Sequence, residues 1–147
     1  SINKKLKSIT WKPDLIITSY HGIPQSYFDK GDPYQCYCQK TSRLIKENFS
    51  EIEIKTTFQS RFGPQAWLQP YTDKTLENLP SQGIKNVLVM CPGFSSDCVE
   101  TLEEINIQGK ESFLENGGKN FDLIPCLNDN SDHIKLFETL ITKYIIK

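Results

Sequence analysis

The chain has 147 residues, of which 24% are charged and 37% are hydrophobic, a balance that is typical of a folded globular domain and excludes a disordered chain. Seventeen basic and eighteen acidic side chains give a formal net charge of −1, which argues against nucleic acid as a partner, because that binding relies on strong positive charge. No apolar run approaches the roughly 20 residues that a bilayer core requires, so the sequence excludes a membrane-spanning helix.

The apolar pattern alternates between short runs and longer amphipathic segments. In chain order it predicts a strand at residues 15–18, a helix at 32–48, a strand at 52–58, a long loop at 59–72, a helix at 73–82 ended by Gly83, a strand at 87–90, a helix at 96–116 ended by Gly117 and Gly118, a strand at 121–125 and a helix at 131–146. This alternation predicts one α/β domain over residues 1–147, with a four-stranded parallel sheet and helices on both faces.

Polar segments follow three of the four predicted strands. They are residues 19–24, 59–72 and 91–97. Because ligands of parallel α/β sheets bind beyond the carboxyl ends of the strands, we expect these segments to share one edge of the sheet. The second segment is unusually long for a loop in a compact domain, and such loops are usually functional or disordered.

The predicted helix at 96–116 begins with a row of acids. At 100° per residue, Asp97, Glu100, Glu104 and Gln108 lie within about 80° of one another around the helix. One interpretation is a capped, solvated helix start, with Asp97 as the N-cap. That interpretation does not explain Glu104, which lies beyond the first turn. The other interpretation is a row of hard oxygen ligands for a divalent cation.

Two other residue types at this edge could carry chemistry. His21 follows the first predicted strand, where a neutral imidazole could accept a proton or bind a metal, although a lone histidine is more often structural. Trp67 lies in the long loop and either holds that loop in place or forms a flat wall beside a flat ligand, with Arg61 near an anionic group. His133 lies at the start of the last predicted helix, and we expect it at the surface.

Five cysteines without a C-x-x-C pair favour reduced thiols and a cytoplasmic location. The C-x-C spacing of Cys36 and Cys38 points their side chains in different directions on a helix, so they make a poor metal-binding pair. We expect Cys91, Cys98 and Cys126 to be small buried side chains.

Three segments together resemble the ferrochelatases, enzymes that insert ferrous iron into a porphyrin. They are residues 19–24 with 30–34, residues 59–73 and residues 91–104, and the similarity extends from about Leu15 to Leu127. The chain resembles the C-terminal half of a bacterial-type ferrochelatase. The resemblance implies a Rossmann-like, chelatase-type domain and a second, similar N-terminal half as its partner, with the porphyrin held between the two.

The resemblance also implies a set of site residues. His21 corresponds to the active-site histidine and Glu100 to the carboxylate that faces it, both catalytic and both metal-binding. Asp97 and Glu104 correspond to neighbouring metal-binding acids. The residues implied to contact the porphyrin are Trp67, Phe94, Ser19 and Tyr20. We assign proton abstraction to His21 and metal handling to the acids, and the opposite division stays open.

The activity implied by the resemblance is insertion of Fe²⁺ into protoporphyrin IX, a lyase reaction that ends haem biosynthesis. The alternatives are another tetrapyrrole chelatase, of the coproporphyrin or cobalt type, and a non-catalytic half-domain that binds haem or metal. Departures from the family are Gln108, where several members have an acid, and Cys98, where animal enzymes have histidine. The chain lacks the cysteine-rich tail of animal members, so we expect no iron–sulfur cluster and no prosthetic group. We expect this chain alone to fold but to be inactive, and peripheral membrane association is left open.

Overall fold

A four-stranded, all-parallel sheet lies at the centre of the computed structural model, which describes residues 1–145. Its strands are β1 (Leu15–His21), β2 (Glu53–Gln59), β3 (Asn86–Met90) and β4 (Asn120–Ile124). Their order across the sheet is β2-β1-β3-β4. Leu15 of β1 pairs with Glu53 on one side and with Val87 on the other, so the strands start at nearly the same level. The predicted parallel α/β sheet is confirmed.

Seven α-helices and two other helical segments connect the strands in residues 1–145. They are α1 (Ile2–Ser8), α2 (Gln25–Asp29), α3 (Tyr34–Asn48), α4 (Thr72–Asn78), a 3₁₀ turn (Leu79–Gln82), α5 (Val99–Leu102), a π-helical segment (Glu104–Gly109), α6 (Lys110–Glu115) and α7 (Ser131–Ile145). Gly83 ends the 3₁₀ turn with a φ of 89°, and Gly117 follows α6 with a φ of 94°. Both glycines therefore end helical segments as predicted, because a left-handed residue stops a helix.

Each face of the sheet carries its own apolar core, since successive strand residues point to opposite faces. The core on the first face, shared with α4, the π-helical segment and α6, contains Leu15, Ile17, Leu76, Val87, Val89, Ile105, Phe113, Phe121 and Leu123. The core on the second face, shared with α1 and α3, contains Ile2, Ile16, Ile45, Leu88 and Ile124. The prediction of helices on both faces is confirmed.

Two elements at the start of the chain differ from the prediction. α1 was not predicted, because its sequence is rich in lysine, but Ile2 packs into the core of the second face and is only 8% exposed. β1 continues to His21, three residues further than predicted. Ser19 can lie inside the sheet because its hydroxyl donates a hydrogen bond to Oε1 of Gln59 at 2.7 Å. His21 therefore ends a strand and does not lie in a turn.

The predicted single helix over residues 96–116 is wrong. The chain forms α5, the π-helical segment and α6 in succession, and the backbone N–H of Gln108 bonds to the carbonyl of Glu103, five residues earlier. The N-cap of α5 is Cys98 and not Asp97, and the Cys98 N–H donates to the Thr101 hydroxyl at 3.0 Å. Such π-helical segments are rare and frequently occur at functional sites. A wheel of 100° per residue does not describe the acids beyond α5.

α7 shows two further outcomes. Its predicted last residue, 146, lies outside the described residues. His133 was predicted at the surface, but it is buried. Its Nδ1 donates to the Asn128 carbonyl at 2.8 Å, and its ring centroid lies 4.4 Å from that of Phe137. Within residues 1–145, no helix has both the length and the apolar composition that crossing a bilayer requires.

The cysteines are free thiols in three kinds of environment. Cys36 is exposed and Cys38 is buried, so the two side chains point apart as predicted. Cys91 is buried, also as predicted. Cys98 and Cys126 are only partly buried, so for these two the prediction was wrong in degree.

Candidate functional site

His21 ends β1 with a fixed ring orientation. Its Nδ1 lies 2.7 Å from the carbonyl oxygen of Gly22, which can only accept, so Nδ1 carries the proton of the neutral ring. Nε2 is then left with a lone pair, and among the described residues no hydrogen bond to Nε2 is found. The backbone is held as well, because the Tyr34 hydroxyl donates to the His21 carbonyl at 2.8 Å. The geometry leaves Nε2 free to accept a proton or bind a cation.

Gly22 allows the chain to pass close to Trp67 after β1. Its N–H donates to the carbonyl of Gln59 at 2.8 Å. A Cβ at this position would lie 3.0 Å from that carbonyl oxygen and 3.2 Å from Cε3 of Trp67. A larger residue here would therefore displace either the end of β2 or the indole.

Two aromatic rings flank His21. The ring centroids of Trp67 and Phe94 lie 6.4 Å and 6.5 Å from the imidazole centroid. Trp67 is only 8% exposed, and its Nε1 donates to the carbonyl of Phe62 at 3.0 Å, so the indole holds the long loop in place. The interpretation of Trp67 as a residue that orders the loop is thus confirmed, and its role as a wall beside a flat ligand stays a prediction.

Glu100 lies in α5 and has an ionised carboxylate at neutral pH. Its pKa lies below the ordinary value of 4.5, mainly because its own backbone N–H and the Cys98 thiol donate hydrogen bonds to the carboxylate. Partial burial opposes this shift, and positive charge on His21 adds to it. Gln59, the register partner of His21, donates a hydrogen bond to the backbone carbonyl of Glu100, so the predicted histidine and carboxylate lie at the same edge of the sheet.

Asp97 occupies a different environment, in which its oxygens accept hydrogen bonds from the protein. The Asn128 amide donates to Oδ2 at 2.7 Å, and the Cys126 N–H and the Thr101 hydroxyl donate to Oδ1 at 3.1 Å and 3.3 Å. Burial opposes ionisation, but these hydrogen bonds outweigh it and lower the pKa of Asp97 below 3.8. We call this set of contacts the Asp97–Asn128 contact. These hydrogen bonds give Asp97 a structural role, and its role as a metal ligand stays a prediction.

Glu104 contacts the end of β2. The Ser60 N–H donates to Oε1 at 2.6 Å, the Ser60 hydroxyl donates to Oε2, and Nε2 of Gln59 lies 3.5 Å from Oε2. Gln108, further along the π-helical segment, donates instead to the Glu103 carboxylate at 3.2 Å. Both Glu104 and Gln108 line a cavity of about 290 Å³ beside Arg61 and Asp73. Arg61 is paired with Asp73 at 2.7 Å, so its charge is partly neutralised there.

Two residues predicted to contact a porphyrin are buried. Ser19 has no exposed surface and Tyr20 is 3% exposed, and the Tyr20 hydroxyl lies 3.1 Å from that of Ser42. We correct that prediction, because side chains inside the sheet cannot contact a ligand at its edge. In residues 1–145, no group of three or more His, Cys, Asp and Glu side chains is placed to hold a metal ion. The predicted four metal-binding residues thus do not form one cluster.

Sequence reasoning missed four residues that shape the site. They are Tyr34, Gln59, Ser60 and Asn128. Gln59 and Ser60 lie in a segment that the sequence marked as unusual, so their position was a usable signal. Asn128 offered none, because its partner Asp97 is 31 residues away along the chain.

Comparison with known proteins identifies the family of this chain. The family model for ferrochelatase matches residues 1–145. The ferrochelatases of Agrobacterium fabrum and Rhizobium etli are each 55% identical to this chain over an alignment 145 residues long, which covers 97% of this chain and 42% of each relative. The ferrochelatase of Brucella ovis is 52% identical over an alignment 148 residues long, which covers 99% of this chain and 42% of that protein.

The chain thus spans less than half the length of the curated relatives it matches. The matched region nevertheless includes every residue of the site, from His21 to Asn128. Since the family model covers almost all of its residues, this chain belongs to the ferrochelatase family.

Proposed function

We propose that this chain is the half of a ferrochelatase that handles protons and metal while Fe²⁺ is inserted into protoporphyrin IX. The observation that carries the proposal is that His21 and Glu100 lie on either side of Gln59, which is the register partner of the first and donates a hydrogen bond to the backbone carbonyl of the second. His21 has a free imidazole nitrogen of defined tautomer, and Glu100 is a carboxylate whose pKa lies below its ordinary value. The geometry provides a proton acceptor and a carboxylate, and membership of the ferrochelatase family adds the type of reaction, metal insertion into a porphyrin.

Inserting a metal into a porphyrin makes two demands on the protein. Two pyrrole protons must leave the macrocycle, and a hydrated Fe²⁺ must exchange its water for pyrrole nitrogens. Nε2 of His21 has the lone pair needed to accept a proton. Glu100 is ionised at neutral pH and can attract the cation and replace its water, because carboxylate oxygens suit such cations. We keep this division of labour between His21 and Glu100 as part of the proposal.

The porphyrin would lie against the aromatic side of the site. Trp67 and Phe94 place two flat rings beside the imidazole, which suits a flat, largely apolar macrocycle. Because Trp67 is largely buried, we expect contact through the edge of the indole that borders His21. Ser19 and Tyr20 would support this surface from inside the domain.

The proposed partner is a second α/β half that covers the open side of the site. The matched relatives are more than twice as long as this chain, which leaves room for such a domain. α7 also presents an apolar face to solvent, with Phe137, Ile141 and Tyr144 exposed by 40%, 54% and 80%. A surface of this kind is usually covered by protein. The cytoplasmic location, the lack of an iron–sulfur cluster and peripheral membrane association stay predictions.

The test is a chimera in which this chain replaces the matching 145 residues of the Agrobacterium fabrum ferrochelatase. Anaerobic metallation assays with Fe²⁺ and protoporphyrin IX should show turnover by the chimera and none above background by the 147-residue chain alone. Turnover that requires coproporphyrin or Co²⁺ would favour the other chelatases. Porphyrin binding without turnover would favour the non-catalytic half-domain. Turnover by the chain alone would contradict the need for a second half.

A further inference from the structure

Gln59 is a buried amide that joins four parts of the site. It is the last residue of β2 and is only 3% exposed, yet every polar atom of its side chain is paired. Its Oε1 accepts from the Ser19 hydroxyl at 2.7 Å and from the Cys91 thiol at 3.4 Å. Its Nε2 donates to the backbone carbonyl of Glu100 at 2.6 Å. The amide thus connects β1, β2, the residue after β3 and α5.

The orientation of this amide is unambiguous. A backbone carbonyl can only accept a hydrogen bond, so the atom 2.6 Å from the Glu100 carbonyl must be the nitrogen. The oxygen then faces the two donors from Ser19 and Cys91. Rotating the amide would place two acceptors against each other at the Glu100 end. The side chain therefore has one stable arrangement.

The bond to Glu100 lies where the helical hydrogen-bond spacing changes. α5 is a single turn ending at Leu102, and the π-helical segment starts at Glu104. One turn of helix has little stability of its own and depends on tertiary contacts. Gln59 supplies such a contact at Glu100, and Ser60 supplies the next at Glu104. Ser60 itself adopts a φ of 61°, which directs its N–H and its hydroxyl to the same carboxylate.

We propose that Gln59 is a positioning residue that fixes the backbone of Glu100, and with Ser60 the start of the π-helical segment, relative to His21 at the end of β1. His21 and Gln59 are register partners on neighbouring strands, so the strand that carries the imidazole also borders the amide that holds the acid. The inference rests on the proposed function for its catalytic consequence. Its structural part, the ordering of residues 100–109, stands on the contacts of Gln59 alone.

The test compares Gln59→Met with Ser42→Ala. Methionine keeps the length and approximate volume of glutamine but removes both hydrogen-bonding atoms. Ser42 is a matched control, since it is 5% exposed and bonds to Thr18, Tyr20 and Thr56 without touching the acidic residues. Both variants lose buried hydrogen bonds and should be less stable. Assays are run at temperatures where each variant remains folded. If Gln59→Met does not fold, Gln59→Asn takes its place, because the shorter asparagine amide cannot reach Glu100.

Two measurements decide the matter. In the chimera, Gln59→Met should lower kcat about tenfold or more, because small displacements of reacting groups have large effects, whereas Ser42→Ala should leave kcat near that of the parent. When Gln59→Met is combined with Glu100→Gln, the double variant should be no slower than Glu100→Gln alone, since both changes act through one carboxylate. An unchanged kcat, or independent effects that multiply, would overturn the proposal.

Hydrogen exchange on the 147-residue chain gives a readout that needs no activity. Gln59→Met should speed amide exchange across residues 100–109, and Ser42→Ala should not. Equal protection of that segment in both variants would overturn the positioning role even if the chimera is active. An inactive chimera would count against the proposed function, and the exchange pattern would still support or overturn the role of Gln59.

Discussion

Asp97 and Glu100 lie three residues apart and differ in what surrounds their carboxylates. Asp97 accepts hydrogen bonds from Asn128, Cys126 and Thr101, so its charge is used inside the protein. The pKa of Glu100 is lowered mainly by its own backbone N–H and by the Cys98 thiol, and no residue from a distant loop holds its carboxylate in the way that Asn128 holds Asp97 within residues 1–145. Two neighbouring acids that look alike in sequence thus serve different purposes. One joins loops, and the other faces the site.

The largest expected effect is at His21. In the chimera, His21→Ala should lower kcat by about 10²-fold or more, because the free imidazole nitrogen that is proposed to accept the pyrrole proton is lost. The control is His133→Ala, which removes the other histidine. His133 is buried against Phe137, so that variant should lose stability but keep its kcat. Near-normal turnover in His21→Ala would contradict its assignment.

Glu100→Gln should lower kcat by about 10²-fold with little change in the free energy of unfolding. The neutral amide keeps the size of the side chain but removes the charge that attracts Fe²⁺. Glu103→Gln is the matched control, because Glu103 is an exposed acid in the same region. Metallation rates and thermal melts on the same samples separate the two roles. A stability loss with normal turnover would mean that Glu100 only supports the helix.

Asp97→Ala should show the opposite pattern. Removing the acceptor breaks the bonds from the exposed Asn128 amide and the partly buried Cys126 N–H, and because water can reach both donors the loss in the free energy of unfolding should be about 1 kcal/mol. Turnover at a temperature where the variant is folded should fall far less than in Glu100→Gln. If Asp97→Ala and Glu100→Gln lower kcat equally, Asp97 binds metal and the contrast between the two acids fails.

The smallest expected effect is on the pH dependence of stability. The pKa of Asp97 is lower in the folded chain than in the unfolded chain, so protonation favours unfolding. Its contribution is complete above its ordinary value of 3.8 and is lost as the pH falls through the lowered pKa. Urea melts at pH 6 and at pH 3 should therefore show a smaller drop for Asp97→Asn than for the parent chain. Identical drops would show that the Asp97–Asn128 contact does not stabilise the fold.

The sheet could be predicted from the sequence because strand patterns are local. Val87 to Met90 is a continuous apolar run, and Leu15 to Thr18 is another, so both were recognised without knowledge of their neighbours. The alternation of parallel strands with helices then placed the site at the carboxyl ends of the strands. The resemblance to a known family added the pairing of His21 with Glu100.

The details of the site could not be predicted because they depend on distant contacts. The break between α5 and the π-helical segment coincides with hydrogen bonds from Gln59 and Ser60, more than 40 residues away along the chain. Helical propensity favours a continuous helix there, and tertiary contacts override it. The hydrogen bond from Asn128 to Asp97 likewise joins residues that are 31 positions apart. Patterns within one segment contain no information about either contact.

The hydrogen bond between His21 and Gly22 also gives the two ring nitrogens separate spectroscopic identities. Nδ1 donates its hydrogen bond to the Gly22 carbonyl, so its ¹⁵N resonance should change less than that of Nε2 when a proton or a cation binds. Nε2 is the nitrogen whose partner changes when a proton or a cation arrives. Selective ¹⁵N labelling of histidine would therefore allow the Nε2 resonance of His21 to report the binding of a proton or a cation. His133, whose Nδ1 bonds to the Asn128 carbonyl, would serve as the reference signal in the same spectrum.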